Sequence, residues 1–232
     1  MTRPDHPVAL VTGTAQGIGS AIADRLEEDG LRVLRTDRDE MDVTDPISVA
    51  NFVRAAPPIH VLVNCAGGVL GQVHKPLEEV TDDEWNAIID VNLNGAFHCV
   101  RAVVAGMKAR RWGRIVTISS GAGRTISLTG IQAYASAKAA QINFTRQMAH
   151  ELGPYSITVN AVAPGLVLSN PTTIAQWNSY GTQGQKRLLE GIALRRTGDG
   201  QDIAHGVSFF VSDGASWITG QTLSIDGGSA LF

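Results

Sequence analysis

Short apolar runs rich in β-branched residues alternate with four-residue apolar spacings along the whole chain. The short runs predict strands over Val8 to Thr12, Arg32 to Thr36, Ile59 to Asn64, Arg114 to Ser119, Thr158 to Val162 and Leu223 to Asp226. Helical patterns fill the gaps. Ile18, Ile22 and Leu26 recur every fourth residue until Gly30, where a left-handed C-terminal residue fits. Thr81 followed by Glu84 makes a capping box ahead of Trp85, Ile88 and Ile89, and Tyr134 to Leu152 reads as one helix closed by Gly153-Pro154. The alternation predicts a doubly wound α/β fold of the Rossmann-like kind: a mostly parallel sheet of six or seven strands, helices on both faces, and a site where the strands end. The least regular stretch, Ser169 to Gly184, is rich in Asn, Thr, Ser and Gly and is expected to be a mobile lid over a substrate (169–184).

Composition narrows the class. The chain has 232 residues, 44% hydrophobic and 18% charged, enough to bury one core, so residues 1–232 are expected to form a single domain. A net charge of −3 without blocks of like charge argues against nucleic acid or an anionic membrane as partner. The polar start from Met1 to Pro7 lacks the layout of a signal peptide, and no apolar stretch is expected to reach the ~20 residues of a bilayer span. Cys65 and Cys99 read as buried thiols rather than a disulfide, and the six histidines show no metal-ligand spacing. A cytoplasmic enzyme without a metal is the expectation.

The candidate chemistry starts directly after the first strand, at Gly13, Gln16, Gly17, Ile18 and Gly19, where the first helix begins. Glycines there let backbone N–H groups approach a pyrophosphate at a helix N-terminus. By itself, such a triplet can be an ordinary strand-to-helix turn. The second strand, however, ends at Asp37, close to the ~20-residue offset at which an acid meets an adenosine ribose.

With these residues in place, the sequence resembles the short-chain dehydrogenase/reductase family over nearly its whole length. Gly13, Gly17 and Gly19 match the family's TGxxxGxG loop, Asp42-Val43 resembles the acidic pair at the adenine, and Asn64, Ala66 and Gly67 match its NNAG turn, with Cys65 replacing the second asparagine. Asn92 fits the family's helix asparagine, Ser120 its serine, Tyr134 to Lys138 its YxxxK, and Pro164-Gly165 with Val167 its nicotinamide side. The resemblance implies Ser120, Tyr134, Lys138 and Asn92 as catalytic residues. It also implies Gly13, Gln16, Gly17, Ile18, Gly19, Asp37, Asp42, Val43, Asn64, Ala66, Gly67, Tyr134, Lys138, Pro164, Gly165 and Val167 at the cofactor. Two departures matter here. Ser120 stands fourteen positions before Tyr134, one more than usual, which places an insertion in Gly121 to Ala133 and leaves Ser119 as the alternative inward hydroxyl. Only four residues separate Asp37 from Asp42, which predicts that the helix between the second and third strands is missing.

Tyr134 and Lys138 are one helical turn apart and so share a face. A tyrosine with a pKa near 10 must be shifted to act as a base near neutrality, and a cation at about 6 Å in an effective dielectric of 20 supplies a little under 3 kcal/mol. The resemblance implies that Tyr134 moves the proton while hydride passes between carbon and nicotinamide. Ser120 would hold the substrate oxygen, Lys138 the ribose hydroxyls, and Asn92 a water leading from Lys138 to solvent.

The expected function is hydride transfer between NAD and a secondary alcohol or ketone, cyclic or polyol. A 3-oxoacyl thioester reductase is the alternative within the enzyme class, and a non-catalytic NAD(P)-sensing regulator the rival outside it. NADP is disfavoured because Asp37 would face its 2′-phosphate, with Arg38 as the competing cation. His74, Lys75 and Arg124 either meet an anionic group or face solvent, and Trp177 and Tyr180 either close over substrate or anchor the lid. A homotetramer or homodimer through the helices of Asn92 and Tyr134 is implied by the resemblance.

Overall fold

The computed structural model describes residues 4–231. Six strands, β1 (Val8–Thr12), β2 (Arg32–Thr36), β3 (Val61–Asn64), β4 (Gly113–Ile118), β5 (Ile157–Pro164) and β6 (Thr222–Ile225), form one sheet in the order β2-β1-β3-β4-β5-β6. Every pairing is parallel. β1, β3, β4 and β5 are buried at every position, because helices cover both faces and leave no side open to solvent. The order reverses direction between β1 and β3, so the carboxyl ends of these strands open onto a crevice.

One apolar layer gathers Ile22 and Leu26 of α1 (Gly17–Glu28) with Ile203, Val207 and Phe210 of α8 (Gly200–Val211). The other packs Val100, Val103 and Met107 of α4 (Gly95–Arg110) with Ala149 and Leu152 of α5 (Gln132–Leu152). α3 (Asp82–Ile89) starts at the Thr81/Glu84 capping box, as its sequence predicts. A π-turn, Asp90–Asn94, joins it to α4. The resulting run Asp82–Arg110, 29 residues with mean hydropathy 1.2 in its most apolar window, is long and apolar enough for a bilayer span, contrary to the expectation that no stretch would be. Its apolar face, with Ile88, Val100, Val103 and Met107, is packed in the core.

Two expectations are corrected. A helix does stand between the second and third strands: α2 (Pro46–Ala55), started by the Asp45 side chain, which accepts from the Ile47 N–H, and by Pro46 at its first position. The shortening between Asp37 and Asp42 removes regular structure only there, where the chain forms turns. The second correction concerns Ser169 to Gly184. It is largely helical, comprising α6 (Pro171–Ser179) and the start of α7 (Gly181–Gly191), because Asn170 and Thr173 form a capping box around Pro171. Polar composition hid two helices that keep their side chains half exposed.

Since Asp45 makes the single cap that starts α2, Asp45→Ala is expected to lower stability by about 1 kcal/mol without changing the fold. Chemical denaturation at constant slope checks this.

Candidate active site

The glycine loop is shaped by contacts that exclude side chains. A Cβ on Gly19 would lie 2.0 Å from the carbonyl oxygen of Gly13, so the first turn of α1 can press against the end of β1 only without one. Gln16, the residue before the helix, makes no side-chain cap. The N–H groups of the first turn, at Gly17, Ile18 and Gly19, therefore face outward for an anion. Ser169 adds a buried hydroxyl without a hydrogen-bond partner among the described residues, and it borders Gly17, at 3.2 Å from where a Cβ would sit. The residues fit a dinucleotide pyrophosphate. Sequence reasoning missed Ser169 because it fell inside the stretch read as a lid.

Asp37 extends from β2 to this loop. Its Oδ2 accepts from the Ala15 N–H at 3.0 Å and its Oδ1 from the Arg38 N–H at 2.8 Å, while Glu40 accepts from the Asp37 N–H. Carboxylates thus cluster where the adenosine ribose would lie. Asp42 turns inward on itself: Oδ1 accepts from the backbone and hydroxyl of Thr44, and those bonds hold its carboxyl below the usual range. Val43 is buried, with its carbonyl bonded to the His98 ring. Asn64 reaches Thr117 at 3.4 Å, and the Thr12 hydroxyl accepts from the N–H groups of Cys65 and Ala66, fixing the turn of Ala66 and Gly67. Burial pushes the Cys65 thiol up to about 12, so it stays protonated. Across the crevice, Pro164 ends β5, the Gly165 N–H donates to Ile225, and Val167 is buried beside Gly198.

Lys138 is 4% exposed. Its Nζ donates to the Ile118 carbonyl at 2.9 Å and stands 5.6 Å from the Tyr134 ring centroid. Ser119 donates to the Lys138 carbonyl at 2.8 Å, so its hydroxyl is spent on the helix backbone. Ser120 hydrogen-bonds Tyr134 instead, with its Oγ also accepting from the Ala122 N–H. Of the two adjacent serines, Ser120 is the one facing the tyrosine.

The electrostatics differ from the simple ion-pair expectation. Burial raises Tyr134 above its ordinary value, opposed by the Ser120 hydrogen bond. Burial also drives Lys138 down to about 8. Lys138 therefore still carries most of its charge at neutral pH but loses it as pH rises through about 8. In this state Tyr134 is an acid.

Asn92 sits in the π-turn and is fully buried. Its Nδ2 donates to the carbonyls of Gly68 and Ile88, both at 2.9 Å, and its Oδ1 accepts from the Gly68 N–H at 3.0 Å. The amide is thus a bracket for the Gly67-Gly68 turn beside Lys138, rather than a free group awaiting water. The three cations and rings left open by sequence are engaged within the fold: Lys75 pairs with Glu84, Arg124 donates to Thr222 and Ser224, and His74 bonds Gly130. Tyr180 accepts from Gln176 and lines a cleft of about 320 Å³ with Leu128, Gly184, Arg187 and Leu188. Trp177 holds Gln185 through its carbonyl.

Residues 39–230 match the family described as enoyl-(acyl carrier protein) reductase. The chain is 37% identical to a 3-oxoacyl-acyl-carrier-protein reductase of Salmonella typhimurium, covering 95% of this chain and 96% of that protein. It superposes on an oxidoreductase of the short-chain dehydrogenase/reductase family from Burkholderia thailandensis with a TM-score of 0.88, at 32% identity over 97% of this chain and 93% of that one. The actinorhodin polyketide ketoreductase, solved with NADPH, gives a TM-score of 0.88 at 28% identity over 100% of both chains. With the sheet order, the glycine loop, and the half-buried tyrosine beside the buried lysine, these matches establish that the chain belongs to the short-chain dehydrogenase/reductase family and is a nicotinamide-dependent oxidoreductase of alcohols and carbonyls.

Proposed function

We propose that this enzyme reduces a carbonyl on an apolar substrate to a secondary alcohol with NADH, 3-oxoacyl thioesters being the first class to test. The observation that carries the reading is the grouping of Tyr134 with Ser120, which hydrogen-bonds it, and Lys138, whose Nζ stands 5.6 Å from its ring, so that the phenol can give a proton to a developing alkoxide. When bound, the nicotinamide supplies and accepts the hydride. Ser120 orients the substrate oxygen toward Tyr134, and Lys138 holds the cofactor ribose and lies beside the tyrosine. Gly13, Gly17, Ile18 and Gly19, with Ser169, receive the pyrophosphate, and Pro164, Gly165 and Val167 wall the nicotinamide. The reverse reaction, oxidation of a cyclic or polyol alcohol, uses the same groups once Tyr134 has lost its proton.

The apolar preference rests on the loops around the crevice. Leu70 and Val73 before α3, Ile126 and Leu128 in the lengthened segment before α5, and Ile174 on α6 are all exposed apolar side chains. An acyl chain or hydrocarbon ring would cover them. The relatives named 3-oxoacyl reductases agree with that preference. Helices α6 and α7 act as the lid in this reading, opening to load substrate. The enzyme works in the cytoplasm as a homodimer or homotetramer.

For the cofactor we favour NAD(H), although one structural relative was solved with NADPH. Asp37 and Glu40 put negative charge at the second ribose, where a 2′-phosphate would be repelled, and Arg38 is exposed.

Four outcomes are expected. Tyr134→Phe binds cofactor as the wild type does but turns over between about a hundredfold and ten-thousandfold more slowly; a loss under tenfold would refute the assignment. In the wild type, kcat/KM for reduction is level below neutrality and falls as pH rises through about 8, since Lys138 is charged below that value and neutral above it. The ratio of kcat/KM with NADH to that with NADPH exceeds one and drops in Asp37→Ala, whereas a wild-type preference for NADPH overturns the cofactor reading. Hydrogen exchange in residues 169–184 slows when cofactor and substrate are added; equal, strong protection in both states would mean a fixed wall.

A further inference from the structure

A π-turn leaves a helix's carbonyls out of step with the regular i→i−4 ladder. In the turn Asp90–Asn94 one of them, the carbonyl of Asn92, accepts from a side chain on another helix: Gln141 Nε2, at 2.6 Å. Gln141 is 1% exposed and lies three residues beyond Lys138 on α5. Its Oε1 has no hydrogen-bond partner among the described residues. A leucine or methionine would fill this core position without stranding an acceptor, so the amide is costly unless its one bond matters. The orientation of that amide is fixed by chemistry, because turning it over would set two oxygens face to face.

The bond braces the turn that aims Asn92. From there the Asn92 amide grips both backbone groups of Gly68 and the Ile88 carbonyl. The next residue back, Gly67, is where the machinery converges: a Cβ there would lie 2.5 Å from Asn92 Oδ1 and 3.6 Å from Lys138 Nζ. α5 therefore touches the site twice, directly through Lys138 and indirectly through Gln141, Asn92 and the Gly67-Gly68 turn.

We propose that Gln141 is a positioning residue for proton transfer: by holding the Asn92 carbonyl it keeps the π-turn in the register that sets Asn92 and Gly67 against the Lys138 ammonium. Without it the turn relaxes toward regular helix, and Asn92 loses its grip on Gly68. The proposal rests on Tyr134 and Lys138 being the proton-transfer pair.

The test compares Gln141→Leu and Gln141→Met with the wild type and Tyr134→Phe, using the 3-oxoacyl thioester or ketone that the wild type reduces fastest. NADH binding is followed by calorimetry. Expected for both Gln141 variants are a retained fold, NADH affinity within about threefold, a KM within about twofold, and a kcat lower by about tenfold. The alkaline limb of kcat/KM should move by about half a pH unit or more, a change that loosened packing alone would not produce. If Tyr134→Phe is inactive while the Gln141 variants keep wild-type kcat and an unmoved limb, the positioning role is wrong and the proton-transfer reading stands. If Tyr134→Phe keeps its turnover, that reading itself falls. Should neither Gln141 variant fold, Gln141 is a core residue and the proposal is overturned.

Discussion

The buried ammonium of Lys138 is the constraint around which the site is arranged. A charge taken from water must be bonded or neutralised, and here the available acceptor is the carbonyl of Ile118, the last residue of β4. That bond draws α5 tightly onto the strand end. Ser119 then secures the helix from the other side through the Lys138 carbonyl, and Gly123 passes so close that a Cβ there would lie 2.6 Å from the Lys138 backbone. With the chain from Ser119 to Gly123 packed around one lysine, Ser120 accepts from the Ala122 N–H and hydrogen-bonds Tyr134. The arrangement of the Ser119, Ser120 and Tyr134 hydroxyls thus follows how one charge is accommodated.

The same reasoning explains what was legible in the sequence. β1 begins and ends where its apolar run does, since a strand buried on both faces writes itself as a continuous run, and β2, at the sheet edge and exposed at both arginines, still has the expected bounds. The Thr81 box and the glycine loop are local devices whose geometry is carried by adjacent residues. What could not be read depends on partners far away in the chain. Ser119 and Ser120 are indistinguishable until the Lys138 carbonyl is in place, nineteen residues on from Ser119. α6 and α7 hid because neither buries a residue fully and their Asn, Thr, Ser, Gln and Gly content reads as loop. α2 was discounted from a family comparison even though Asp45-Pro46 is a sound start signal in itself.

Electrostatics was the part least accessible to spacing arguments. From sequence, a lysine one turn from a tyrosine reads as a full positive charge at short range. In the folded protein the same burial that brings the two together weakens the lysine's charge and raises the tyrosine. A cationic nicotinamide ring would add the positive charge that the buried lysine alone does not secure, so the proton affinity of the pair depends on which redox form of the cofactor is bound.

Cofactor choice and substrate choice are physically separate in this fold. Asp37, Arg38 and Glu40 belong to the end of β2, at one side of the sheet, whereas Leu128, Ile174 and the rest of the apolar rim belong to segments that follow β4 and β5. Among the described residues no hydrogen bond or ion pair joins the two groups, so changing the charge at β2 leaves the rim intact. Charge at the end of β2 and apolarity at the rim can therefore vary independently, each through residues of its own segment. This chain carries an acidic cluster at the first and exposed apolar side chains at the second.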